Sequence, residues 1–166
     1  VDIAKLTSED IEGDELTGGY IFQIDRDDES IWNDGWQSNF PDWKFFVFDD
    51  PDYDVIMPEQ RAYIHDYMDG FEAMMNSSVY GSAYNNYVDV DSWVDYFLIT
   101  EIGKHIDAFK LSFFMYKKKD SNGGKLHFGP LWDFNLAFGN FDFVCSPDPE
   151  GWVYQFRGTC DNWHPF

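Results

Sequence analysis

The sequence predicts an α+β fold in which helices and strands occupy separate stretches of the chain, and three observations support this class. Two segments carry apolar residues at three- and four-residue spacing, which is typical of amphipathic helices. Short aromatic and β-branched runs outside them are typical of strands. A Lys-rich turn with an Asn-Gly-Gly sequence joins two further strand-like runs, residues 112–116 and 125–128, as a hairpin.

The first predicted elements are two strands. Residues 1–18 are polar and acidic, which predicts a loop. Residues 18–25 combine a Gly-Gly turn with β-branched and aromatic side chains, and residues 45–48 form a short apolar run, so both are predicted strands. The loop between them contains the aromatic residues Trp32, Trp36, Phe40 and Trp43.

Two helices follow. Pro58 suits the first turn of a helix, and apolar residues then recur on one stripe as far as Met75. The first helix therefore ends near the polar cluster at residues 76–78. A polar loop leads to Asp91, whose carboxylate is predicted to cap a second helix that extends to about Ile106.

The composition excludes several classes of partner. The 166 residues include 31 acidic and 11 basic side chains, which gives a net charge of −20. Nucleic acids and anionic membranes would be repelled, so neither is expected as a partner. Hydrophobic residues make up 44% of the chain, enough for a folded core. No stretch approaches the roughly 18 consecutive apolar residues of a membrane-spanning helix, so no membrane insertion is expected.

The two cysteines, Cys145 and Cys160, lie in a segment rich in Pro and Gly. Neither belongs to a C-x-x-C pair, and His164 alone does not complete a zinc site. They are either two unrelated buried thiols or a disulfide, and we favour the disulfide because it would stabilise an irregular loop by roughly 3 kcal/mol. A disulfide predicts an extracytoplasmic protein, either secreted or at the cell surface.

The aromatic residues and the histidines could have either functional or purely structural roles. The aromatic loop, together with Trp152 and Trp163, could stack on sugar rings and make the chain a carbohydrate- or protein-binding module. We favour core packing for these side chains. The four histidines, His105 among them, show no metalloprotease or triad spacing and are predicted to be structural.

Two aspartates occupy positions that could carry chemistry. Asp107 lies between the second helix and the hairpin, and Asp133 lies directly after the hairpin. Protein kinases hold their catalytic aspartate and their Mg²⁺-binding aspartate in this order of elements. One carboxylate accepts the proton of the nucleophile, and the other holds a hard cation that bridges the phosphates. In so acidic a chain, the pattern alone favours the interpretation that both are solvent-exposed aspartates in turns.

A longer motif favours a functional role for the two aspartates. Residues 129–140 have the sequence Gly-Pro-Leu-Trp-Asp-Phe-Asn-Leu-Ala-Phe-Gly-Asn, which closely resembles the signature of the CotH family, spore-coat protein H and its kinase-like relatives. Residues 17–25, 58–64 and 89–109 resemble, in order, the family's Gly-Gly-Tyr strand, its first long helix, and its second helix with the catalytic loop. The resemblance extends from about Leu16 to Phe166. It implies an atypical protein-kinase-like fold, mainly the C-terminal lobe, with the hairpin between two acidic loops.

The resemblance implies a secreted or surface protein kinase that uses ATP with Mg²⁺ or Mn²⁺ and phosphorylates Ser or Thr of extracellular or coat proteins. Asp107 would be the catalytic aspartate and Asp133 the metal aspartate. Asn135, where many relatives have a second Asp, would be a further metal and cofactor ligand. Ser112, where many relatives have Asn, would be a weaker oxygen ligand of the metal.

Lys104 and Lys110 flank Asp107. Under the kinase interpretation, their positive charge would offset the repulsion between ATP and an acidic protein. Lys104 would then act beside Asp107 in catalysis, and Lys110 would contact the cofactor. The alternative is that both are solvated surface lysines.

The resemblance also bears on domain organisation. In the family, the ATP-contacting lysine lies upstream of the Gly-Gly-Tyr strand, which begins here at Gly18. We therefore expect residues 1–166 to be a single fragment of such a domain, truncated at both ends, without the upstream nucleotide-lobe region and inactive alone. The competing hypothesis is a catalytically weak or inactive kinase-like module that binds carbohydrate or the cell surface within a secreted, polysaccharide-degrading protein.

Overall fold

The computed structural model of the chain describes residues 3–25, 34–39, 45–109, 111–140 and 152–155. Within these ranges, helices combine with one antiparallel sheet of five strands, which confirms the predicted α+β class. The helices are α1 (Gly13–Leu16), α2 (Pro58–Met75), α3 (Tyr80–Ala83) and α4 (Val90–Gly103). The strands are β1 (Tyr20–Asp25), β2 (Gly35–Gln37), β3 (Phe45–Asp50), β4 (Phe113–Lys117) and β5 (Leu126–Phe128). Short 3₁₀ turns cover Tyr84–Asn86, Asp120–Asn122, Phe134–Leu136 and Val153–Gln155.

The sheet joins the first half of the chain to the second. Its order is β2-β3-β1-β4-β5, and central β1 pairs antiparallel with β3 on one side and β4 on the other. Ile24 therefore lies opposite both Phe46 and Phe113. Every second residue of β1 is buried, Tyr20 and Phe22 completely, because alternate side chains of a strand share one face. This face and the apolar residues of α2 form one core.

α2 begins at Pro58 and ends at Met75, in agreement with the predicted helix. Gln60 explains why the helix begins there, since its side-chain oxygen accepts a hydrogen bond from the backbone nitrogen of Met57 at 3.0 Å. The amide nitrogen of the same side chain donates to the carbonyl of Thr7 at 2.7 Å. The buried Gln60 side chain thus also attaches the N-terminal segment to the helix.

Both ends of α4 differ from the prediction. Asp89 caps the helix instead of Asp91, because its carboxylate accepts a hydrogen bond from the backbone nitrogen of Ser92 at 3.0 Å. Asp89 has the extended backbone of a cap, whereas Asp91 already lies in the first turn. The helix ends short of Ile106, because Lys104 adopts a left-handed conformation with φ 50° and ψ 45°.

The start of α4 is attached to β5. The backbone nitrogen of Leu126 donates to the carbonyl of Tyr87 at 2.8 Å, and the backbone nitrogen of Asp89 donates to the carbonyl of Leu126 at 2.9 Å. These bonds hold α4 against the β4–β5 pair. They thereby place the loop that follows α4 relative to the loop that follows β5.

Helix length and composition bear on membrane association. α2 has 18 residues and α4 has 14. α2 carries charged side chains along its length, among them Glu59 and Arg61. Among the described residues, no helix has both the length and the apolar character that crossing a membrane requires.

Candidate functional site

Two loops meet at the C-terminal end of α4. The first loop is residues 104–112, of which residue 110 lies outside the described ranges, and the second loop is residues 129–140. The backbone nitrogen of Phe138 donates to the carbonyl of Gly103 at 2.5 Å. The hydroxyl of Ser112 donates to Oδ2 of Asp133 at 3.4 Å. The fold therefore brings together the two segments that the sequence predicts to carry chemistry.

Asp133 is exposed, and two predicted metal ligands lie against its carboxylate. Ser112 donates to Oδ2, and the side-chain amide of Asn135 faces Oδ1. With the amide nitrogen towards Asp133, Asn135 donates to Oδ1 and, at 3.0 Å, to the Asp133 carbonyl. With the amide oxygen in that place, two oxygens face each other, an arrangement that a cation between them would stabilise. The structure thus groups Ser112, Asp133 and Asn135.

The chemistry of this group fits a hard divalent cation. Carboxylate, hydroxyl and amide oxygens are the ligands that Mg²⁺ and Mn²⁺ prefer. Asp133, Ser112 and the oxygen-forward orientation of Asn135 supply all three types. In the nitrogen-forward orientation, Asn135 would instead compete with the metal for Asp133. The residues therefore fit the metal when Asn135 presents its oxygen.

Asp107 lies half-buried in a turn of the first loop. Its carbonyl accepts a hydrogen bond from the backbone nitrogen of Leu111 at 2.9 Å, which folds the loop back towards β4. The carboxylates of Asp107 and Asp133 both lie close enough to His105 to raise the pKa of its imidazole. The two predicted aspartates therefore share one neighbouring side chain.

His105 is the site residue that the sequence-based prediction missed. Its side chain is only 1% exposed, and its ring lies 4.4 Å from that of Phe134 between centroids. Burial lowers the pKa of His105, whereas a hydrogen bond to the Trp132 backbone and the carboxylates of Asp107 and Asp133 oppose this shift. His105 thus connects the two loops. The signal that could have found it is the His-x-Asp spacing to Asp107, which matches the kinase H-R-D motif.

Three of the predicted site residues have a left-handed backbone. The φ angles are 50° at Lys104, 52° at Ser112 and 55° at Asp133. A fourth residue of the described chain, Phe138, has φ 56° and also belongs to the second loop. Each such conformation costs a non-glycine residue about 1–3 kcal/mol, and residues of this kind concentrate at functional sites. The two loops therefore contain the strained backbone expected of a site held by its surroundings.

The remaining predicted residues are only partly described. Lys104 lies half-buried at the end of α4, directly before His105 in the chain. Lys110, predicted to contact the cofactor, lies outside the described residues. The predicted disulfide partners, Cys145 and Cys160, also lie outside them.

The aromatic side chains that the structure describes serve different purposes. Trp36 packs into the core, with ring centroids 5.5, 5.1 and 4.9 Å from Phe22, Phe46 and Phe48. Trp152 is 51% exposed. The other residues proposed as sugar-stacking aromatics, Trp32, Phe40, Trp43 and Trp163, lie outside the described residues.

A second group of potential metal ligands lies on α2. One ligand atom from each of His65, Asp66 and Asp69 lies within 4.8 Å of the others. Two of these residues already have partners, because Nδ1 of His65 is 3.3 Å from Oδ2 of Asp69 and the amide of Asn39 donates to Oδ1 of Asp69 at 2.6 Å. The group is partly exposed and resembles many surface clusters that hold no metal, so we assign no metal to it.

Comparison with known families agrees with this order of elements. The model of the family described as CotH kinase protein matches residues 3–161 of the 166-residue chain, a range that includes the sheet, both long helices and both loops. No curated protein and no solved structure gives a significant match. The chain therefore belongs to the CotH kinase protein family.

Proposed function

We propose that this kinase-like protein transfers the γ-phosphate of ATP to Ser or Thr of extracellular or coat proteins. The observation that supports the proposal most strongly is the meeting of the two acidic loops. Asp107 and Asp133 share the buried neighbour His105, and Ser112 and Asn135 contact Asp133. A location outside the cytoplasm is part of the proposal, because a disulfide between the two cysteines would require it.

Each side chain has a defined part in the proposed reaction. The oxygen of the substrate hydroxyl attacks the γ-phosphorus while Asp107 accepts the hydroxyl proton. The bond between that phosphorus and the β-phosphate oxygen breaks, which releases ADP. Asp133, Ser112 and Asn135 would hold Mg²⁺ or Mn²⁺. The metal would supply the positive charge that phosphates require during transfer. His105 positions both loops without touching the reacting atoms.

The net charge of −20 constrains how such a protein can bind ATP. An acidic surface repels a polyanionic nucleotide unless local positive charge compensates. A metal on Asp133 would supply part of that charge, and Lys104, which ends α4, would supply another part. Nucleotide binding is therefore proposed to require the divalent cation.

Transfer of labelled γ-phosphate to a Ser/Thr-rich acceptor protein tests these roles. The assay uses the full-length protein. Asp107→Asn and Asp133→Asn should each lower the transfer rate by about 100-fold or more. Asp54→Asn, an exposed turn carboxylate outside both loops, is the matched control and should keep the wild-type rate.

Equal labelling by the wild-type protein and both site variants would overturn the assignment of Asp107 and Asp133. Loss of labelling in Asp54→Asn as well would show that the assay reports general damage to an acidic surface. Folded state is checked for each variant by thermal unfolding.

A second candidate function is a kinase-like binding module without catalysis. The observation that favours it is Asn135, whose amide nitrogen can donate to Asp133 and occupy the carboxylate that a metal would need. Ser112 is a weak and uncharged metal ligand, so it adds no negative charge that would offset the loss of the Asp133 carboxylate. This candidate differs from the first in one measurable property, because it predicts no saturable, metal-dependent binding of ATP.

A further inference from the structure

A cleft of about 380 Å³ lies between α4, the β4–β5 pair and the start of the second loop. Its volume falls in the range of ligand-binding pockets, roughly 300–1,000 Å³. None of the residues given roles in phosphate transfer lines it. Leu131, however, lines the cleft and precedes Asp133 by two positions, so the cleft lies next to the candidate site.

The walls of the cleft are mainly apolar, with one carboxylate. Tyr96 and Phe128 pack edge to face, with centroids 5.6 Å apart, and Ile99 and Leu131 add aliphatic surface. Leu131 is 51% exposed, so this surface is open to solvent. Asp95 is exposed and lines the same cleft. A Lys or Arg side chain combines the two matching properties, an aliphatic stem and a cationic head.

The surface continues along α4 beyond the cleft. Asp91, Asp95, Leu98 and Ile102 recur at spacings of four, three and four residues, so they share one face of the helix. Leu98 is 47% exposed and Ile102 is 69% exposed. This face is acidic towards the start of α4 and apolar towards its end. A ligand that complements it must carry the opposite arrangement, with positive charge at one end and apolar groups at the other.

We propose that the cleft and this face of α4 dock an extended segment of a partner protein, with a Lys or Arg beside Asp95 and apolar residues on Leu98 and Ile102. The helical rise places Asp95 and Ile102 about 10 Å apart, which an extended chain spans with about three residues. The net charge of −20 favours a basic partner and accelerates its association. Docking does not depend on phosphate transfer.

Fluorescence anisotropy with a labelled peptide tests the docking site. The peptide has about ten residues, with two arginines and, about three positions further on, two leucines. Wild-type protein should bind it saturably, and Asp95→Lys and Ile102→Ser should each weaken binding by about fivefold or more. Asp66→Lys, which reverses an exposed carboxylate on α2, is the matched control for net charge and should bind like the wild type. All three substituted residues are exposed, so folding should be retained.

Three results would overturn the docking site. The first is no saturable binding by the wild type. The second is equal binding of a scrambled peptide of the same composition, which would show general attraction to an acidic protein. The third is an equal loss of affinity in Asp66→Lys. Asp133→Asn should bind the peptide normally even where it abolishes phosphate transfer, so failure of the docking site and failure of the proposed function remain distinguishable.

Discussion

His127, on β5, is a buried imidazole whose surroundings make stability depend on pH. Its ring stacks on Tyr116 with centroids 4.7 Å apart, and its Nδ1 lies 3.5 Å from Oδ1 of Asp89. Burial lowers the pKa of His127 from its usual 6.5, and the positive charges of Lys118 and Lys125 add to this effect. The carboxylate of Asp89 opposes the shift without cancelling it.

The direction of the resulting pH dependence follows from proton uptake. Below pH 6.5 the unfolded chain binds a proton at position 127 that the folded chain does not, so the free energy of unfolding falls until the pH reaches the lowered pKa. His127→Gln should therefore lose less stability than wild type between about pH 7.5 and 5.5 in urea unfolding. Buried His105 also makes the free energy of unfolding fall at low pH, both in the wild type and in His127→Gln. The pH dependence of stability should therefore be smaller in His127→Gln but not absent.

The control for this measurement is Val55→Ala, because Val55 is 64% exposed and carries no titratable group. That variant should keep the pH dependence of the wild type. Equal pH dependence in wild type and His127→Gln would contradict the account of His127.

Sequence reasoning predicted some residues of the candidate site and not others, for a physical reason. Asp107 and Asp133 are recognisable because each lies in a loop at a defined place in the order of elements. His105 continues the apolar pattern of a helix, and the pattern alone predicts a structural histidine there. Its role becomes visible only when the fold places Trp132 and Phe134 of the second loop against it.

At the scale of elements, α4 positions the first loop, and Asp89 holds its start. Asp89→Ala should lower the free energy of unfolding by about 1–2 kcal/mol, because the backbone nitrogen of Ser92 would lose its acceptor. Asp91→Ala, at the residue that sequence reasoning chose as the cap, should cost less than about 0.5 kcal/mol because its side chain is exposed. Chemical denaturation of both variants makes the comparison, and a larger loss in Asp91→Ala would contradict the observed cap.

The long elements were predictable, and of the short ones only β5 was, because the Asn-Gly-Gly turn marks it as the second strand of a hairpin. Apolar spacing identified α2 and α4, and apolar or aromatic runs identified β1, β3 and β4. β2, α1 and α3 span only three or four residues, which is too few for any periodicity to show. The sequence pattern also could not predict the order of the strands in the sheet, because β1 pairs with β4, a strand more than 80 residues away in the chain.

At the scale of the whole molecule, the net charge of −20 acquires a specific meaning. It first excludes anionic partners in general. Under the proposed function, it would make ATP binding depend on a divalent cation at Asp133, and under the proposed docking site it would favour basic segments as partners. The same acidic surface would therefore discriminate between metal-bound and free nucleotide, and between basic and acidic proteins.

The most direct test of the central claim is calorimetric titration of ATP into the full-length protein, with and without Mn²⁺. The wild type should bind ATP saturably only with Mn²⁺, and Asp133→Ala should lose this binding. Asn135→Asp, which adds a second carboxylate beside Asp133, should bind at least as tightly as the wild type. Absence of saturable binding by the wild type together with its appearance in Asn135→Asp would favour the binding-module function. Equal binding by the wild type and Asp133→Ala would contradict the assignment of a metal–nucleotide site to the two loops.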